Sequence, residues 1–175
     1  MEEKKAYTIS VYTENNLGLM NRISAIFLKR HINLESITAS QSEIKNVFRF
    51  VFVIKLSEDK VRKLVGQIEK QIEVIKAYYH TDEETIHQES ALYKIATNLL
   101  FDDRKIQNII KKSNANIVTV SKDYFVIEKT GKRKETEQLY DDLTPYGIKQ
   151  FVRSGRISVS KEAMNISKTL QNFNY

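Results

Sequence analysis

Asn15-Asn16-Leu17-Gly18-Leu19-Met20 is the stretch of this chain whose residue types could hold a small molecule. It lies between a strand pattern and a helical pattern. A glycine ahead of a helix admits positive φ and lets the backbone approach a ligand closely. The first amides of that helix have no internal acceptors, so they can receive a carboxylate or a phosphate. The Asn15 carboxamide both donates and accepts, which suits the ammonium and carboxylate of an amino acid. Asn33, beyond the far end of the helix, offers a second such group. The same residues would also serve as a turn glycine with capping asparagines. Spacing alone leaves both readings open.

Elsewhere the chain offers little catalytic material. There is no cysteine, and His31, His80 and His87 stand in no nucleophile–base motif. His31 falls in a Lys-Arg-His helix end, where cations suit the helix dipole. His80, Asp82, Glu83, Glu84 and His87 are metal-ligating types, but no spacing orients them, and a charged connecting segment accounts for them. No catalytic residue and no metal site is expected. Phe48, Phe50 and Phe52 alternate with Val47, Arg49, Val51 and Val53 along a third strand pattern. RNA-recognition modules stack bases on third-strand aromatics. Here Val47, Arg49 and Val53 stand where that motif wants a glycine, a small residue and an aromatic. A core stripe beneath two helices is the plainer expectation. The basic run Lys129 to Lys134 reads as a solvated loop or a phosphate-binding patch.

The elements that must position these residues are laid out twice. Ile23, Ile26 and Phe27 reappear 83 residues later as Ile106, Ile109 and Ile110, Asn33-Leu34 as Asn116-Ile117, and Ile37 as Val120. Self-similarity of this kind marks a repeated module. Only the first copy has a glycine turn before its helix. The 175 residues are 41% hydrophobic and 29% charged with a net charge of +6, which is globular composition and permits but does not require a nucleic-acid partner. No apolar run approaches the ~18–20 residues that cross a bilayer. Met1 to Lys5 leads into a strand without an apolar signal core. A cytoplasmic location follows as the expectation, which the lack of cysteine fits.

Strand patterns fall at 7–12, 34–40, 47–56 and 74–79, with helices beginning at Leu19 and after Ser57; the second helix is expected to bury Val61, Leu64, Val65, Ile68 and Ile72. This β-α-β-β-α-β order is the ferredoxin-like arrangement. The second copy runs through a strand at 91–97, a helix at 102–112, strands at 117–121 and 124–129, a helix at 134–143 stopped by Pro145 and Gly147, and a strand at 148–152. The fold class is therefore α+β, two tandem ferredoxin-like βαββαβ modules. The expected divisions are a first domain at 6–80, a polar linker at 81–90, a second domain at 91–161 ending in a short edge strand at 157–161, and a polar tail at 162–175.

The stretch T-E-N-N-L-G-L-M-N-R-I (13–23) with R-H-I-N-L-E-S-I-T (30–38) resembles the amino-terminal ACT domain of acetolactate synthase small subunits. E-K-T-G-K-R-K (128–134) and P-Y-G-I-K-Q-F-V-R-S-G-R-I-S-V-S-K (145–161) are similar to that family's carboxy-terminal, ACT-like domain. The resemblance implies a regulatory subunit in valine, leucine and isoleucine biosynthesis, without an active site of its own. Its partner would be the catalytic large subunit, on which thiamine diphosphate, Mg and FAD are expected. It implies a homodimer through the ACT domains and allosteric feedback inhibition by a branched-chain amino acid, usually valine. By position, Asn15, Leu17, Gly18, Leu19 and Met20 of one protomer would bind that effector together with Asn33 and Leu34 of the other. The chain departs from the family pattern at His31-Ile32, where a Gly-aromatic pair is usual, at Gln41, where proline is common, and at Asn21, where a small residue is usual. The competing readings are a tandem ferredoxin-like nucleic-acid-binding protein and a free-standing ACT amino-acid sensor.

Overall fold

Alternation in Tyr7 to Tyr12 is realised as β1 (Lys5–Glu14), which sends Tyr7, Ile9 and Val11 to one face of a sheet and Thr8, Ser10 and Tyr12 to the other. The computed structural model describes residues 4–16, 18–102, 104–163 and 165–171. They fall into two compact units, one holding residues up to Ile86 together with those from Arg156 onward, the other running from His87 to Gly155.

In the first unit, α1 (Leu19–Lys29), β2 (Leu34–Gln41), β3 (Val47–Leu56), α2 (Glu58–Ile68) and β4 (Val74–Thr81) follow β1. The strands form an antiparallel sheet in the order β2-β3-β1-β4, with Ile9 opposite Phe52 and Val11 opposite Phe50. Leu19, Ile23, Ile26 and Phe27 recur at helical spacing and bury one face of α1. They meet Phe50, Phe52 and Ile54 of β3 and Val61, Leu64 and Ile68 of α2 in a single core. The third-strand aromatics thus lie beneath the helices, Phe52 with its ring 4.9 Å from Phe27, and are not a surface for stacking bases. Ser57 occupies the N-cap of α2 but its hydroxyl makes no capping bond; Glu58 and Asp59 supply negative charge to the first turn instead. Ile72 is 94% exposed, because α2 ends at Ile68 and the helical period no longer governs its direction.

Both copies end their first helix in the same way. The His31 amide donates to the Leu28 carbonyl and the Ile32 amide to the Phe27 carbonyl, with His31 at φ 52°. Eighty-three residues on, Asn114 donates to Lys111 and Ala115 to Ile110, with Asn114 at φ 50°. These are Schellman caps, whose left-handed residue is most often glycine or asparagine. Histidine pays a steric cost of about 1–2 kcal/mol there, against about 0.5–1 kcal/mol of extra chain entropy for glycine. His31→Gly is therefore expected to stabilise the protein by about 0.5–1 kcal/mol, read as a melting temperature about 1–4 °C higher. An unchanged or lower midpoint would contradict the cap assignment.

The second unit is built from β5 (Thr85–Ile95), which begins at the end of the first, α3 (Asn98–Asp102), α4 (Arg104–Lys112), β6 (Asn116–Val120), β7 (Phe125–Gly131), α5 (Arg133–Leu143) and β8 (Gln150–Arg153). Its strand order, β6-β7-β5-β8, repeats that of the first sheet. Residues 85–90, polar enough to suit a linker, lie within β5 because their polar groups are used: Thr85 and Glu89 are buried, and Glu89 accepts a bond from the Thr136 hydroxyl at 3.1 Å. A tight turn precedes them, where the Glu84 carboxylate accepts the Thr81 amide at 2.7 Å. Arg153, from the R-S-G segment, reaches Glu89 at 3.5 Å and Glu137 at 3.3 Å. The Tyr93 hydroxyl donates to the Thr136 carbonyl at 2.6 Å, and burial pushes its pKa up to about 12. The basic run 129–134 carries β7 into the first turn of α5, where Glu135 accepts the Lys132 amide at 2.7 Å. A 3-10 turn at Thr144–Tyr146, containing Pro145, and Gly147 at φ 77° end that helix.

From Arg156 the chain belongs with the first unit. β9 (Ile157–Ser160) and α6 (Ile166–Gln171) lie there, and the Lys161 amide donates to the Glu84 carbonyl at 2.8 Å. The sheet face opposite the helices carries Tyr12, Val47 and Ile75, and Leu170, 1% exposed, joins them in one buried cluster. A polar segment with one well-placed leucine thus covers apolar surface that the sheet would leave wet.

Candidate functional site

The turn between β1 and α1 is held by backbone bonds. The Glu14 amide donates to the Glu73 carbonyl at 2.9 Å, Asn15 to Asn46 at 3.1 Å and Asn16 to Glu14 at 3.0 Å. Gly18 follows at φ 84° and ψ −6°, in the left-handed region where an L side chain is strained. A Cβ placed there would have nothing within 4 Å, so the space beside the turn is open. Gly18 is itself the N-cap of α1, with no side-chain cap and no acidic residue in the first turn. Capping asparagines are thus excluded as the explanation: Asn15 and Asn16 are exposed, and neither side chain closes the helix. What remains is a helix start beside an exposed glycine, where the Leu19 amide donates to the Asn16 carbonyl at 3.5 Å and the Met20 and Asn21 amides that follow have no intrahelical acceptor.

The other expected residues divide by what their side chains do. Leu19 is 1% exposed and anchors α1 in the core, and its amide donates to the Asn16 carbonyl at 3.5 Å. Met20 is half-buried and packs against the same core. Leu17 lies outside the described residues. Asn33 is exposed just before β2, and Leu34 is half-buried against the core at its start. The α1 residues 21–29 separate the two groups, about 14 Å of helix. One chain therefore places the two groups at opposite ends of α1 and does not bring them together. β2 is the edge strand of its sheet.

Two residues that sequence reasoning missed frame the turn. Arg22 in the first helical turn pairs with Glu73 at 2.5 Å, and Glu73 is also the residue whose carbonyl fixes Glu14. No local pattern signals a pair 51 positions apart. The second copy lacks the feature altogether. Its counterpart of Gly18 is residue 101, inside α3, so a helical turn stands where the first copy has its glycine. The charged candidates at 80–87 are used structurally: Asp82 pairs with Arg156 at 2.5 Å, Glu84 accepts from Thr81, and His80 Nε2 lies 3.3 Å from the Ser160 hydroxyl. Among the described residues, no group of three or more His, Cys, Asp or Glu is placed to hold a metal ion. No helix of the described residues is long and apolar enough to cross a membrane.

Two family models match the chain. Residues 9–76 match the AHAS small subunit-like ACT domain, and residues 88–162 match the small subunit of acetolactate synthase. The acetolactate synthase small subunit of Bacillus subtilis (strain 168) is 36% identical over 159 residues, covering 90% of this chain and 91% of its own. The probable acetolactate synthase small subunit of Archaeoglobus fulgidus is 31% identical over 156 residues, covering 87% and 95%. In fold, the chain is similar to the crystal structure of the acetolactate synthase small subunit from Thermotoga maritima, with a TM-score of 0.82, 24% identity, and coverage of 91% and 99%.

Proposed function

The chain belongs to the acetolactate synthase small subunits, regulators in branched-chain amino acid biosynthesis, and from that premise we propose how it regulates. It docks in the cytoplasm on the catalytic large subunit, which carries the thiamine diphosphate, Mg and FAD, and raises that subunit's activity. A branched-chain amino acid, valine foremost, binds the ACT dimer and opposes the activation. The chain performs no chemistry itself.

The observation that carries this reading is the start of α1 behind Gly18, open on the glycine's side, with no side-chain cap and no acidic residue in its first turn. The effector carboxylate meets the first-turn amides, where an anion is favoured by about 0.3–1 kcal/mol for the dipole alone. Its ammonium is received by the Asn15 carboxamide oxygen and by Asn33 of a second protomer. Its side chain rests on the second protomer's Leu34. The dimer forms by pairing of the exposed edge β2 with its symmetry mate, which carries each Asn33 toward the other chain's Gly18 turn. A ligand shifts an equilibrium only as far as it prefers one state. A site that two chains complete together satisfies that requirement, because filling it changes how the protomers sit.

Reconstitution with the catalytic subunit tests the proposal. Acetolactate formation is expected to rise on adding this chain and to fall again with valine, with an effector coupling of about 1–3 kcal/mol. Catalytic activity indifferent to the chain, with and without valine, would overturn it.

A further inference from the structure

We propose that the cavity on the other face of the first sheet, beneath the segment from Arg156 onward, binds a phosphate group carried by a small molecule, with Arg49 as its anchor. The cavity measures about 440 Å³ and lies wholly within the first unit. That is larger than a bare ion needs and within the ~300–1,000 Å³ of small-molecule sites. β-alternation places Arg49 on this face, opposite Phe50 and Phe52.

The guanidinium is held but not neutralised. Its Nη2 donates to the Ser10 hydroxyl at 3.1 Å and to the Ser158 carbonyl at 2.6 Å, both uncharged. Its Nε is buried and has no acceptor. Among the described residues no carboxylate lies within ion-pair distance of it. A buried donor without a partner is uncommon and asks for an explanation, and the planar fork of arginine matches phosphate oxygens two at a time. The neighbouring groups are donors as well. The Ser160 hydroxyl and the His80 ring sit 3.3 Å apart on the cavity wall, and Tyr12 lies beneath the guanidinium, its phenol kept protonated by burial. The Glu43 carboxylate also lines the cavity, but it is engaged by the Ser167 hydroxyl at 2.6 Å, the main cause of its lowered pKa, with a smaller contribution from the Arg49 charge. Glu43 therefore guards the rim and disfavours an anion there, while Arg49 attracts one within.

Titration of the full-length protein with inorganic phosphate, and separately with glycerol phosphate, tests this by ¹H–¹⁵N NMR. The Arg49 Nε–H resonance and the Ser158 and Ser160 amides are expected to shift saturably, glycerol phosphate binding more tightly than the free ion. Arg49→Gln should weaken binding roughly tenfold or more, and Arg49→Lys should restore only part of it. Glu43→Gln should strengthen it severalfold. Gly18→Asp should leave the phosphate response intact, so this site and the effector site fail separately. No saturable shift at these groups up to about 20 mM phosphate, a range that reaches millimolar affinities, would overturn the proposal whether or not the variants fold. So would binding that Arg49→Gln leaves unchanged in a folded protein.

Discussion

Gly18→Asp is expected to give a small subunit that still raises the activity of its partner and no longer responds to valine. The substitution puts a carboxylate into the open space beside the α1 start, where the effector carboxylate would lie. Two like charges in one partly desolvated site disfavour binding by several kcal/mol, which shifts half-inhibition by at least about a hundredfold. The left-handed backbone adds about 1 kcal/mol of strain, which aspartate bears better than most residues. Gly18→Asn separates the two effects, since asparagine accepts the same φ without the charge; it should retain measurable sensitivity. A stronger test mixes chains. In a dimer of one Gly18→Asp chain and one Asn33→Ala chain, one site has both defects and the other has neither. Sensitivity should therefore return in the mixed dimer if the half-sites come from different protomers. Its continued absence, with mixed dimers shown to form, would sink the shared-site arrangement.

Phe52→Ala should cost about 3–5 kcal/mol of stability. Phe52 is fully buried at the meeting of β3, α1 and α2, its ring 4.9 Å from Phe27 and 6.2 Å from Phe50. Truncation leaves a cavity that two neighbouring aromatic rings cannot close without leaving their own positions. Since small domains keep only about 5–15 kcal/mol in all, the first unit should be partly unfolded at 37 °C and unable to support regulation. Urea unfolding followed by circular dichroism measures the loss. A change below about 1 kcal/mol would mean that the third-strand aromatics are not the keystone of this core, and would reopen the reading in which they face outward.

The ground plan was legible in the residues because it rests on periodicity. β3 occupies the span its β-branched and aromatic run indicates, and the 83-residue shift extends to the caps, where His31 and Asn114 take the same backbone conformation. The glycine turn was legible too, since few other residues fit that φ. What escaped was set by partners far apart in the chain. Residues 85–90 look like a linker because their burial depends on Thr136 and on the neighbouring strands. The return of the chain at Arg156 depends on Tyr12, Val47 and Ile75 lacking a cover, which no window around Leu170 reveals. The cavity around Arg49 is assembled from β1, β3, β4 and β9, and a lone arginine amid valines and phenylalanines gives no hint of it. At the glycine turn, the asparagines looked like caps because their type suits the task; the bonding pattern assigns the cap to Gly18 itself.

Because the first unit takes residues from both flanks of the second, its assembly has an order imposed by the ribosome. Four strands and two helices can gather as soon as residue 81 has cleared the exit tunnel, yet the stretch that shields Tyr12, Val47 and Ile75 is translated only after residues 87–155. During that interval the nascent chain presents a bare apolar patch, a natural place for a chaperone to hold it. Release would then coincide with the arrival of Leu170, so that protein freed from the ribosome early, by a stop codon near residue 155, should be sticky even though β1 to β8 and α1 to α5 are all encoded.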